Sequence, residues 1–173
     1  MASRRDSYGI WRTRGSSNLP PRKVVIGTVA QGYWGRYPGL PRRLGQLTGL
    51  VGRMAAIARR RYGRGLDLAV LPESVVNGEP ATDAFAHSHP LKGPVHGAFA
   101  AAARRHHCHI VAGMNLLENA RKRICSNAAV LFDRRGRVAG IYRKMHPVPS
   151  WPGAPRSLEG GMTPGRRAPV FQC

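Results

Sequence analysis

Two residues of this chain, Glu73 and Lys144, stand out by type and context as able to do chemistry. Glu73 follows the apolar run Leu68-Ala69-Val70-Leu71 and a proline, in a chain with only 8 acidic residues. A carboxylate held at a buried strand end loses hydration, which favours its neutral form and suits it to act as a base near neutral pH. Taken locally, an exposed loop acid or a helix cap is an equal reading. Lys144 is one of 4 lysines among 28 basic residues. Arginine is a rigid planar fork, whereas lysine is a compact point charge on a flexible stem. A site that must hold one carboxylate and one developing oxyanion with a small cation would take lysine. A solvated lysine at a strand end is the alternative.

A nucleophile is harder to find. The three cysteines, Cys108, Cys125 and Cys173, are odd in number and have no CxxC spacing. That argues against a disulfide framework and leads us to expect a reducing, cytoplasmic setting. Cys108 falls at the start of a strand-like segment and Cys125 just before a hairpin, so both read as small, half-buried thiols. The run His106-His107-Cys108-His109 does not suggest a metal, because consecutive residues of a helix or strand cannot converge on one ion. His87, His89 and His96 lie in or beside the loop after Glu73 and read as surface histidines. No cofactor or metal is expected.

The elements that must bring Glu73 and Lys144 together can be read from periodicity and punctuation. Residues 23–31 (KVVIGTVAQ) begin a β-branched run, a buried-strand pattern. A Gly- and Pro-punctuated loop follows. A helix is expected over 43–61, where Leu44, Leu47, Val51, Met54 and Ala58 recur at three- and four-residue steps, with Gly63 and Gly65 ending it. Residues 67–72 (DLAVLP) form the second strand. Residues 77–93 are a loop, and Pro94 opens a second, alanine-rich helix running to about His107. The third strand is expected over 109–115. The stretch 125–144 then reads as a hairpin: one arm NAAVLF, a turn over 133–136 closed by Gly136, and a return arm ending at Lys144. Strand, helix, strand, helix, strand and hairpin imply a layered α/β fold with a mixed sheet, in which reactive groups gather at strand C-terminal ends.

Composition bounds the partners. The chain has 173 residues, enough for one domain with a core, and no apolar stretch long enough to cross a membrane. Residues 1–22 carry an Arg pair without the apolar region a signal peptide needs, so they read as a flexible basic tail ahead of a domain over 23–173. The formal net charge of +20 invites a polyanion partner. The basic residues run along the whole chain, however, and runs such as Arg59-Arg60-Arg61 and Arg121-Lys122-Arg123 read as solvated faces. Neither a nucleic-acid partner nor a membrane is therefore expected.

Three blocks in order, DLAVLPE, NAAVLFDRRGRVAGIYRKMHP and EGGMTPGRRAPVF, make residues 23–173 resemble the nitrilase superfamily of carbon–nitrogen hydrolases. The resemblance implies an αββα sandwich, here C-terminally incomplete, with a mixed sheet and helices on one face. It also implies a Glu–Lys–Cys triad that cleaves amide, carbamoyl or nitrile carbon–nitrogen bonds through a thioester acyl-enzyme. Carried over residue by residue, Glu73 matches the general base and Lys144 the lysine that stabilises the tetrahedral intermediate. Glu159 matches a second glutamate near that lysine. The nucleophilic cysteine of the family follows a further strand, and Cys173 falls at a strand position instead, so no cysteine of this chain takes that role. The expectation is a fragment that is inactive by itself and belongs to an amidase or N-carbamoyl hydrolase more than to a nitrilase. A homodimer or larger assembly is the family's habit. A non-catalytic binding protein of the same fold and a basic polyanion-binding protein are the competing readings.

Overall fold

A computed structural model describes residues 4–5, 11–12, 23–30, 36–77, 83–148 and 160–171. Two short strands, β1 (Arg4–Arg5) and β2 (Trp11–Arg12), pair antiparallel in the basic N-terminal segment. The domain proper runs β3 (Ile26–Thr28), α1 (Leu40–Tyr62), β4 (Leu68–Val70), β5 (His89–Pro90), α2 (Pro94–His106), β6 (His109–Asn119), β7 (Ile124–Phe132) and β8 (Val138–Arg143). The six-stranded sheet has the order β3-β4-β6-β7-β8, with β5 added beside β6. Pairings β3·β4 and β4·β6 are parallel, and β6·β7 and β7·β8 are antiparallel. The sheet is thus mixed, as the order of elements predicted.

Helix α1 starts three residues earlier than its apolar stripe suggested. Pro41, read as loop punctuation, sits in the first turn, where a missing N–H costs nothing. The helix ends at Gly63, which adopts φ +66 and donates its N–H to the Arg59 carbonyl at 2.9 Å. Leu44, Leu47, Val51 and Ala58 are buried as the spacing required, and Met54 packs partly buried at the margin. Helix α2 opens on Pro94 as expected and buries Val95, Phe99, Ala100, Ala102 and Ala103.

Both helices cover one face of the sheet. The core joins Leu47 and Val51 of α1 and Phe99 of α2 to Ala69, Ile110, Ala112, Met114, Ala128, Val130 and Phe132 of the strands. On β6 and β7 these are alternate residues, which a pleated strand sends to one side. The rings of Phe99 and Phe132 lie 5.6 Å apart, and His96 tilts against Phe132 at 5.9 Å. His96 is therefore a half-buried cover of the core and not a surface histidine. Each fully buried Phe, Leu or Val contributes about 1.5–3 kcal/mol.

Two further features differ from expectation. Strand β6 continues four residues past Asn115 and forms its own hairpin with β7, because the turn at 120–123 closes with Arg123 at φ +50 and donates the Arg123 N–H to the Ala120 carbonyl. The loop after Glu73 contains β5, which pairs with Leu116 and Leu117.

Candidate active site

Glu73 is placed by a turn that crosses over the middle of β6. The Leu71 N–H bonds the Val111 carbonyl at 2.9 Å, the chain turns at Pro72–Glu73–Ser74, and the Val76 N–H reaches the Gly113 carbonyl at 3.3 Å. Only glycine fits beneath this turn. A Cβ at Gly113 would lie 2.8 Å from Glu73 Cα and 2.8 Å from Ser74 N, and closer still to the Pro72 carbonyl. Ser74 itself is held at φ +49, a left-handed conformation unusual for serine. Side chains pin the turn from both sides: Ser74 Oγ donates to Asn115 Oδ1 at 3.2 Å, Asn77 Oδ1 accepts the Asn115 N–H at 2.8 Å, and the Tyr37 hydroxyl donates to the Val76 carbonyl at 3.1 Å.

Lys144 is placed by the sheet ladder. Its N–H bonds the Asn127 carbonyl at 2.8 Å, one step beyond the last β7·β8 pair, Ala128 with Arg143. Lys144 therefore stands opposite Asn127, and Asn127 stands opposite Asn115 on β6. This row occupies the sheet face turned away from the helices. The following segment is fastened there too: the Gly165 N–H bonds the Lys144 carbonyl at 2.9 Å, and the Thr163 N–H bonds the Cys125 carbonyl at 2.8 Å.

The two chemically expected residues meet. Lys144 Nζ donates to Glu73 Oε1 at 2.9 Å across 71 positions of sequence. Asn127 Nδ2 donates to the same oxygen at 2.6 Å. Asn127 is the member that sequence reasoning missed. It leads the NAAVLF arm, but nothing in its local sequence shows that the register aims it at a carboxylate 54 positions away. Because both donors converge on Oε1, Oε2 has no partner among the described residues and is left as the oxygen that can take a proton.

The described residues do not form the shelter expected around Glu73. Its side chain is 61% exposed, against 27% for Lys144. The desolvation argument from sequence therefore does not apply to this carboxylate as it stands here. A charge pair and an amide donor hold it instead.

Glu159 and Cys173 lie outside the described residues. Cys108 and Cys125 are not half-buried but fully enclosed. Burial pushes the Cys108 thiol up to about 11 and raises that of Cys125, so neither supplies a thiolate near neutral pH. Cys125 sits two residues from Asn127 but is sealed with Ala84 and Met162 in a separate small cluster. No group of three metal-binding side chains occurs among the described residues. A cavity of about 490 Å³ opens beside Glu118, Ser126, Arg143 and Phe171, and neither Glu73 nor Lys144 lines it. There Arg143 grips Glu118 through Nε and, at 2.8 Å, Nη2, and Ser126 Oγ adds a bond at 2.8 Å.

The sequence profile of the carbon-nitrogen hydrolase family matches residues 31–173. This chain belongs to the carbon–nitrogen hydrolase family. No curated protein matches it significantly. Among solved structures, this hydrolase-family chain is similar to a carbon–nitrogen hydrolase from Helicobacter pylori G27, with 22% identity, a TM-score of 0.59, and 83% of this chain and 45% of that one covered. It is similar to Saccharomyces cerevisiae Nit3, a member of branch 10 of the nitrilase superfamily, with 18% identity, a TM-score of 0.63, and 86% and 51% covered. An N-terminal amidase solved with an Asn-Glu-Ala peptide shares 11% identity at a TM-score of 0.55, with 69% and 28% covered. At these identities the likeness is one of fold. The chain spans about half the length of the first two structures.

Proposed function

We propose that this chain supplies the base and the cation of an amide- or carbamoyl-cleaving site whose thiolate comes from outside the described residues. One observation carries the reading: the 2.9 Å contact between Lys144 Nζ and Glu73 Oε1 on a sheet face of a carbon–nitrogen hydrolase fold. Glu73 Oε2 takes the proton of a cysteine thiol, and the sulfur attacks the carbonyl carbon of the substrate. The C–S bond forms as the carbonyl electrons move onto oxygen, and the Lys144 ammonium stabilises that oxyanion. Glu73 returns the proton to the leaving nitrogen as the C–N bond breaks and ammonia or an amine departs. Glu73 then takes a proton from water, which attacks the thioester and releases the acid and the thiol. Asn127 and Lys144 hold the carboxylate in one orientation through all these steps, and the family resemblance assigns Glu159 the part of a second, positioning carboxylate.

Amide chemistry is preferred over nitrile chemistry because a fixed ammonium beside the base suits an oxyanion that forms on a carbonyl. The fold likeness to an N-terminal amidase points the same way. Self-association into a homodimer and a cytoplasmic setting complete the reading. Residues 1–173 assayed alone are expected to release no ammonia, since Cys108 and Cys125 are sealed and Cys173 falls at a strand position of the family pattern, not at the nucleophile's place.

The test is ammonia release by the whole polypeptide that carries this chain, from primary amides, N-carbamoyl amino acids and nitriles. Glu73→Gln is expected to lower turnover by about 10²–10⁴, the usual contribution of a positioned acid–base group. Normal turnover in that variant would remove Glu73 from the mechanism. Turnover of nitriles alone would refute the amidase assignment, and a folded protein inert to every substrate would favour the non-catalytic reading.

A further inference from the structure

The positive charge looks evenly distributed along the sequence but is not evenly distributed in space. Helices α1 and α2 both run back toward the starts of the strands that follow them, so their last turns lie at the same end of the sheet. The β7–β8 turn lies there too, because Phe132 pairs with Ile110 near the start of β6. That end gathers Arg59, Arg60, Arg61 and Arg64 from the first helix and its exit, Arg104 and Arg105 from the second, and Arg134, Arg135 and Arg137 from the turn. Side-chain neighbours agree with this convergence. His106 at the end of α2 lies against Gly52 of α1, Arg59 and Arg105 both act on His106, and Arg104 reaches the turn at Gly136.

Among the described residues, nine arginines here face two carboxylates. Asp67 takes Arg64 at 2.8 Å and Arg134 at 3.2 Å, and Asp133 takes Arg137 at 2.8 Å. Arg59, Arg60, Arg61, Arg104, Arg105 and Arg135 have no ion-pair partner among the described residues, and all six side chains are exposed. Basic residues in a last helical turn complement the helix dipole, but each C-terminus carries only about −0.5 charge, so two of them offset about one of the unpaired arginines. Most of the charge at this pole has no counter-charge among the described residues. Tyr62 stands within it, 56% exposed, with the Arg61 guanidinium 5.7 Å from its ring centroid.

We propose that this pole binds the phosphodiester backbone of single-stranded nucleic acid. Guanidinium forks match phosphate oxygens, and an exposed tyrosine between arginines offers a stacking surface for one base. Glu73 and Lys144 lie at the opposite end of the sheet, so binding leaves that site open. This reading reverses the expectation drawn from the linear sequence, where the same arginines fall in three separate segments.

The test is fluorescence anisotropy of a labelled oligothymidylate of about 20 nucleotides with the whole chain, titrated between about 50 and 200 mM salt. Binding should fall steeply with salt. The variant Arg59→Gln/Arg60→Gln/Arg61→Gln should lower the slope of log K against log salt by about 2, at about 0.7 for each phosphate no longer neutralised. Tyr62→Ala should weaken binding about tenfold with the slope unchanged. The control, Arg121→Gln/Lys122→Gln/Arg123→Gln, removes the same charge from the β6–β7 turn at the other end and should leave the slope as in the parent chain. Circular dichroism checks that each variant is folded. Equal reductions of slope in the two triple variants would mean a net-charge effect and overturn the proposal. So would absence of binding at the lowest salt, or tighter binding to polyglutamate or anionic vesicles than to the oligonucleotide.

Discussion

Substituting Gly113 by alanine should displace Glu73, the proposed base, without touching it chemically. The added Cβ would lie 2.8 Å from Glu73 Cα and from Ser74 N, and ordinary contact begins near 3.4 Å. The turn must therefore retreat by roughly 0.6 Å at Glu73 and Ser74 and by about 1 Å at the Pro72 carbonyl, and the atoms in the way are backbone, which cannot rotate aside. Overpacking of this kind costs about 1–3 kcal/mol. The same retreat lengthens the 2.9 Å contact to Lys144 and the 2.6 Å contact from Asn127, and misplacement on this scale lowers turnover by up to about 10². Gly49, inside α1, is the internal control. Nothing lies within 4 Å of a Cβ built there, so Gly49→Ala should stabilise by about 0.5–1 kcal/mol through better helix propensity. Urea unfolding of the two variants reads both effects as opposite shifts of the midpoint at constant slope. A Gly113→Ala protein as stable as the parent, with unchanged ammonia release from the whole polypeptide, would refute the claim that close backbone packing on β6 sets the position of Glu73.

Other consequences can be checked as directly. Asn127→Ala removes one of the two donors to Glu73 and should lower kcat more than it raises KM, while Asn127→Asp should do more damage than Ala by placing a second carboxylate against the first. Cys108 and Cys125 should resist a thiol reagent at about pH 8 in the folded protein and react on unfolding, as peptide mapping would show; rapid native labelling of Cys108 would contradict its burial. The Arg143 side chain, hydrogen-bonded to Glu118, holds that carboxyl below its ordinary value of 4.5. The folded pKa is depressed, so the pair's stabilisation is fully present above pH 4.5 and is lost as pH falls below it. Glu118→Gln should remove that part of the acid sensitivity, and an unchanged pH–stability curve would show that the pair contributes nothing measurable.

Much of the architecture follows from the sequence alone, because it rests on local rules. The stripe from Leu44 to Ala58, the αL glycine at 63, Pro94 at a helix start and the turn closed by Gly136 each encode their own element within a few residues. Glu73 and Lys144, which the fold brings within 2.9 Å of each other, could also be singled out in the sequence: one is a scarce acid after an apolar run, the other a rare lysine in an arginine-rich chain. Three things had to wait for the tertiary structure. The length of β6 depended on a turn with no glycine, held by a left-handed Arg123, which local pattern does not announce. The role of Asn127 depended on strand register, since a shift of one residue would send it to the helix face. The exposure of Glu73 and the gathering of nine arginines at one pole depended on which ends of which elements meet. Electrostatics acts through distance in space, and a sequence of residues holds no such distances until the strands are paired and the helices packed.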